Sequence, residues 1–217
     1  VIRVLYISQL AGLEHPQRGG VAEEAARTPG LLALAGIDAT LCDAPSAVLP
    51  DPRGFDGVIV GGSFGSANAE EPWRVALREW LATWQSVPLF GICGGHQLLA
   101  RALGGEIEEG TASQHGIYPL ALPGVPGWRD RVVELHTDHV KVPPPGAEVW
   151  AQDTTCIQAL RYGRTRWTVQ FHPEMDEDLV MLAAQNGGLT CPWTDLPLAV
   201  EGGRALLRHW ADAVRCA

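Results

Sequence analysis

Val87-Pro88-Leu89-Phe90-Gly91-Ile92-Cys93-Gly94-Gly95-His96-Gln97 runs directly into Leu98-Leu99-Ala100-Arg101-Ala102-Leu103. The first part is a short apolar run, the last part is helix-forming, and a cysteine stands among glycines at the join. A strand that feeds straight into a helix is the building unit of a parallel α/β sheet. A sharp turn at such a join pushes one side chain out at the carboxyl edge of the sheet. Small neighbours, Gly91 and Gly95, are needed because the turn brings backbone against backbone. The helix that follows aims its unpaired N–H groups and its positive end at the sulfur, a placement that suits a nucleophile. Taken alone, the stretch also reads as a buried structural cysteine at a βα turn.

Working outward, strands are expected at 2–8, 38–43, 57–61 and 87–92. Helices are expected near 20–35 (interrupted around Pro29), 71–85 and 96–103. Glu70-Glu71-Pro72-Trp73 opens the second of these, with acids at its positive end and proline in its first turn. This alternation predicts a parallel sheet with helices on both faces. From about 106 the pattern changes to short strands separated by Gly and Pro, at 106–109, 116–122, 131–136, 147–151, 156–161 and 166–171. That half reads as antiparallel ribbon plus a return strand. Helices follow at 176–186 and 202–214, with a loop at 187–193. No repeat or linker divides the chain, so 1–217 reads as a single domain.

The return strand ends in Trp167-Thr168-Val169-Gln170-Phe171-His172-Pro173-Glu174. Pro173 holds His172 extended, and residues two apart on an extended chain share a face. His172 and Glu174 are therefore expected side by side. A histidine that takes a proton from a thiol needs its other ring nitrogen held by an acceptor, and Glu174 can supply it.

The Gly91–Gln97 and Phe171–Glu174 motifs together resemble the class I (triad) glutamine amidotransferases, most closely stand-alone domains like the amidotransferase half of GMP synthase. Asp56-Gly57-Val58-Ile59-Val60-Gly61-Gly62-Ser63 falls where that family keeps its oxyanion strand and glycine loop. His136-Thr137-Asp138-His139-Val140, with Val142-Pro143 and Gly146-Ala147 behind it, matches a further family segment. The resemblance implies a three-layer αβα sandwich, flavodoxin-like, with a mostly parallel central sheet and an antiparallel ribbon in the second half. It implies Cys93 as nucleophile, His172 as general base and acid, and Glu174 as the orienting carboxylate. The backbone N–H groups of Gly62, Ser63 and Gly94 would form the oxyanion hole, and Gln97, Leu135 and His136 would bind substrate. The chain departs from the family pattern where Ser63 replaces a common proline, where Gly94-Gly95 follows the cysteine, and at Leu135, where relatives often carry a polar residue.

The 217 residues are 46% hydrophobic and 19% charged, enough for a folded core, and the formal net charge of −9 argues against nucleic acid as a partner. No apolar run is long enough to span a membrane. Five scattered cysteines form no CxxC pair, so neither a disulfide framework nor a zinc site is expected, and a reducing cytoplasm is the expected location. His136 and His139 lack a third ligand nearby. No metal or other cofactor is expected. Trp128 and Trp193, in loop-like sequence, are candidates for a substrate entrance or partner surface. Three functions fit the residues and the resemblance. The first is an amidotransferase that releases ammonia to a separate synthase polypeptide. The second is a stand-alone γ-glutamyl hydrolase, and the third a non-catalytic binding domain.

Overall fold

The structure, a computed structural model, describes residues 1–10, 21–187 and 193–217. The first half alternates strand and helix. Its elements are β1 (Ile2–Ser8), α1 (Val21–Ala33), β2 (Ile37–Asp43), β3 (Gly57–Val60), α2 (Pro72–Thr83), β4 (Leu89–Ile92) and α3 (Gly94–Ala102). The second half contains β5 (Glu106–Glu108), β6 (Gln114–Pro119), β7 (Arg131–His136), β8 (His139–Val142), β9 (Glu148–Gln152), β10 (Ile157–Arg161) and β11 (Arg166–Val169). Helices α4 (Glu177–Gly187) and α5 (Leu196–Arg215) follow.

Seven strands form one sheet in the order β2-β1-β3-β4-β11-β10-β9. The pairings from β2 through β11 are parallel, and β10 and β9 add on antiparallel. Two antiparallel ribbons, β6–β7 and β5–β8, lie outside this sheet. The fold is thus α/β with a mainly parallel central sheet.

The central strands are apolar on both faces because both faces are covered. Val4 and Tyr6 of β1 join Ile59, Phe90, Ile92, Leu206 and Trp210 in one core. Leu5 and Ile7, pointing the other way, join Val58, Val60, Leu77, Leu81 and Leu98 in a second. A third core under α4 brings together Ile117, Val133, Leu179, Val180 and Val200. Trp210 is wholly buried, sits edge-on to Phe90 at 5.6 Å, and donates its indole N–H to Thr165 O at 3.0 Å.

Several boundaries differ from expectation. Helix α1 carries Pro29 within it rather than breaking there. Strand β6 starts two residues earlier than 116, and β8 falls between the strands expected at 131–136 and 147–151. The large difference is α5, which begins at Leu196 rather than 202. Gly202-Gly203 reads as a helix start, yet both lie mid-helix. A Cβ on Gly203 would stand 2.6 Å from Pro173 O, so glycine is there to let α5 approach the His172–Glu174 segment. The expected loop at 187–193 falls largely outside the described residues. Trp128 donates its indole N–H to Leu120 O and packs its ring on Phe171, and Trp193 is 48% exposed. No described helix is long and apolar enough to cross a membrane.

A Cβ on Gly95 would run into the carbonyl oxygen of Val60 in β3, whereas one on the exposed Gly30 of α1 would meet nothing. Gly95→Ala should therefore cost about 2 kcal/mol or more in urea unfolding, as overpacking against rigid backbone does. Gly30→Ala should be neutral to stabilising by about 0.5–1 kcal/mol, from helix propensity. Equal effects from the two would mean that α3 can shift off the sheet.

Candidate active site

Cys93 sits between β4 and α3 with φ 48° and ψ −105°, a region that L-residues other than glycine rarely adopt. The conformation is held from both sides. The Cys93 N–H donates to Val169 O at 2.8 Å, and the Cys93 carbonyl accepts the first helical bond from Gln97 N–H at 3.1 Å. Cys93 is therefore the N-cap of α3, with its sulfur at the positive end of the helix.

The carboxyl ends of β3, β4 and β11 bring the other groups to this point. Position 62 faces the site closely enough that a Cβ there would lie 3.1 Å from His172 Cε1 and 3.8 Å from Cys93 Cβ. A Cβ on Gly94 would lie 2.6 Å from Ser63 N, so the glycine loop and the helix start are in contact. Among the described residues, the N–H groups of Gly62, Ser63 and Gly94 donate to nothing else. They are available to a developing negative charge. Arg74, 1% exposed, clamps this loop from α2. It donates to Ser63 Oγ and Gly65 O, each at 3.2 Å, and to Glu71 Oε2 at 3.0 Å.

His172 lies just past β11, and its Nδ1 is 2.8 Å from Glu174 Oε1. The expected neighbours do meet, but through a turn at Pro173-Glu174 rather than along an extended strand, which ends at Val169. The His172 N–H donates to Val133 O at 2.9 Å, which fixes the segment to β7. Burial opposes charge on this imidazole. The Glu174 carboxylate and the Cys93 sulfur outweigh burial and hold its pKa well above the ordinary 6.5.

Gln97 and Leu135 also reach the site. Gln97 donates both hydrogens of its amide within the protein, to Asp138 O at 2.8 Å and Gln170 Oε1 at 3.2 Å. Leu135 O lies 3.9 Å from Cys93 Sγ, so backbone rather than side chain meets the sulfur there. The His136 ring points away from the sulfur, toward Gln114 and Glu134. His96 is fully buried beneath the elbow, with Nδ1 2.7 Å from Thr168 Oγ1. Burial, and then the charge of His136, brings its pKa down to about 3, so it is a neutral structural group.

Two functional neighbours are not marked as such in the sequence. Gln170, wholly buried, donates to Cys93 Sγ at 3.6 Å. Its one signal is a glutamine between Val169 and Phe171 in an apolar stretch, two residues before His172. Arg74 has no signal beyond helix position. A thiol on a strained elbow, an imidazole backed by a carboxylate, and three unpaired N–H groups can together perform nucleophilic attack on a carbonyl, stabilise the oxyanion and protonate a leaving amine.

The glutamine amidotransferase class-I family model matches residues 35–179. Among curated proteins, a glutamine-hydrolyzing GMP synthase subunit from Thermococcus kodakarensis is 35% identical over 99 residues, covering 42% of this chain and 52% of that one. A gamma-glutamyl-L-1-hydroxyisopropylamide hydrolase of Pseudomonas sp is 30% identical over 151 residues, covering 60% of this chain and 51% of that one. The matches thus span about half the length of these two relatives. A crystal structure of a glutamine amido transferase from Methylobacillus flagellatus superposes with a TM-score of 0.70 at 24% identity, covering 99% of this chain and 92% of that one, which shows a shared fold.

The His172 shift sets a pH dependence. A folded value raised above the ordinary 6.5 gives stability that is whole below 6.5 and is lost as pH climbs through the folded value. Glu174→Gln removes the main source of the rise. Its stability deficit in urea unfolding should be largest below 6.5 and shrink toward alkaline pH. A deficit that does not change with pH would mean that Glu174 acts through packing alone.

Proposed function

This chain belongs to the class I glutamine amidotransferases, and from that premise we propose that it hydrolyses the γ-carboxamide of glutamine through a thioester on Cys93 and passes the ammonia to a separate synthase polypeptide. The observation that carries the reading is the strained Cys93 at the N-cap of α3, beside a His172–Glu174 pair 2.8 Å apart. The Thermococcus relative, one subunit of a glutamine-hydrolyzing GMP synthase, supports the division of labour between two chains.

In this mechanism the Cys93 thiolate, its proton resting on His172, attacks the carbonyl carbon of the γ-carboxamide. The amide oxygen becomes an oxyanion facing the N–H groups of Gly62, Ser63 and Gly94. His172, protonated and held by Glu174, gives its proton to the leaving nitrogen, so ammonia departs and a γ-glutamyl thioester remains. His172, now neutral, takes a proton from water, which attacks the thioester and releases glutamate. Collapse of that second tetrahedral adduct frees the sulfur. Gln97 and the backbone of Leu135 and His136 bind the amino-acid end of the substrate.

A second reading, a stand-alone γ-glutamyl amide or peptide hydrolase, is favoured by the similarity to the Pseudomonas hydrolase. The two share every covalent step and differ in what leaves. The purified chain should be given glutamine and a panel of γ-glutamyl amides, with mass spectrometry of glutamate and the released amine. Slow glutamine turnover that rises when a synthase chain is added supports the amidotransferase. Fast cleavage of one γ-glutamyl amide in preference to glutamine supports the hydrolase. Under either, Cys93→Ala should reduce turnover by at least about a thousandfold, as loss of a nucleophile does. Turnover that survives Cys93→Ala overturns both.

A further inference from the structure

Beside the site lies a buried carboxyl that the mechanism above does not use. Strand β7 carries Glu134 and His136 on one face, with Leu135 between them on the other. Glu134 is wholly buried, and neither of its oxygens has a well-aligned hydrogen bond. Its Oε2 lies 3.2 Å from His136 Nε2, off the line of the ring N–H, so proximity of charge rather than alignment joins the two. An ionised carboxylate in such a place needs a cation beside it.

The hydrogen bonds of His136 supply the cation. Its Nδ1 is 3.1 Å from Asp138 O, which can only accept. Its Nε2 is 3.2 Å from Gln114 Oε1. The orientation of the Gln114 amide is settled by its other partners. Gln114 Nε2 donates to Asp153 Oδ2 at 2.9 Å, and Gln158 Nε2 donates to Gln114 Oε1 at 2.9 Å. Turning the amide over would set oxygen against carboxylate and N–H against N–H. Both ring nitrogens of His136 therefore face acceptors, the arrangement that suits a doubly protonated ring.

We propose that His136 is a buried imidazolium with Glu134 as its counter-ion, and that this pair is the positioning device for the substrate-binding backbone at residues 135–138. Two routes lead from the pair to the sulfur. The His136 Nδ1–H and Gln97 Nε2 both donate to Asp138 O, Gln97 also donates to Gln170, and Gln170 donates to Cys93 Sγ. The second route is the carbonyl of Leu135, between the two charged residues, 3.9 Å from Cys93 Sγ. The other ionisable groups that face the pair are His172, Asp153, Cys156, His96 and His139. Burial pushes the Glu134 carboxyl upward, and His136 and then His172 oppose the rise.

The inference rests on the reading of Gln97 and the Leu135 backbone as the glutamine pocket, and two measurements keep the two apart. The first is a long-range 1H–15N correlation of the full chain at neutral pH, with the His136 signals assigned by their loss in His136→Asn. Hydrogen on both ring nitrogens is expected, with one lost in Glu134→Gln. A bare ring nitrogen on His136 in the wild type overturns the proposal, whatever the enzyme does. The second is covalent labelling of Cys93 in the wild type and Glu134→Gln. The reagents are 6-diazo-5-oxo-L-norleucine, which must occupy the pocket, and iodoacetamide, which need not. Glu134→Gln should slow the glutamine analogue about tenfold and iodoacetamide by less than about twofold, as loss of one charged buried contact predicts. Equal slowing of both, or of neither, overturns the positioning role. A wild type that takes iodoacetamide but never the analogue defeats the glutamine reading, and the nitrogen signals then decide the pair by themselves.

Discussion

The approach of α3 to β3 is the contact on which the rest depends. No side chain fits at Gly95 because the Val60 carbonyl occupies the space, and a Cβ on Gly91 would stand 3.0 Å from the Gly95 backbone. Three segments of main chain therefore meet without side chains between them. With the helix so close to the strand ends, the link from β4 to α3 is a single residue, and that residue must take φ 48°. Such a conformation costs about 1–3 kcal/mol and persists only where its surroundings hold it. Here the bond to Val169 O and the first turn of α3 do so. The same closeness sets Gly94 against Ser63, which brings the glycine loop within reach of the sulfur.

Around that elbow, the pattern of charge is economical. Two buried carboxylates, Glu174 and Glu134, each stand beside a histidine, and neutral amides link the parts. Gln97 and Gln170 connect the 135–138 turn to Cys93, and Gln114 and Gln158 connect His136 to Asp153. An amide can donate and accept without adding a charge that must itself be neutralised, so it can extend a buried network at low desolvation cost. His96 shows the other limit. Fully buried with no acid beside it among the described residues, it stays neutral and holds Thr168.

Much of this was legible in the chain. The β–α alternation of the first half follows from period-2 and period-3.6 apolar patterns, and Glu71-Pro72 opens α2 as its composition indicates. The Cys93 elbow and the His172–Glu174 pair were readable because their glycines and proline constrain local backbone. The elements misread were those whose residues answer to distant neighbours. Gly202-Gly203 reads as a helix start and is instead the face on which α5 meets Arg129 and Pro173. His139-Val140 looks like the tail of a motif and is the strand that pairs with β5.

The sequence by itself determined the strand–helix order of the first half, the nucleophile candidate and the pairing of His172 with Glu174, because each depends on residues adjacent in the chain. Only the tertiary structure decided which partners surround them. That Gln170 reaches Cys93, that Arg74 clamps the glycine loop, and that Glu134 lies buried against His136 all depend on where β4, α2, β7 and β11 are set by the sheet. A glutamine, arginine or glutamate in a one-dimensional string carries no mark of burial. Its role appears only when packing removes water and leaves a few fixed partners for its polar atoms.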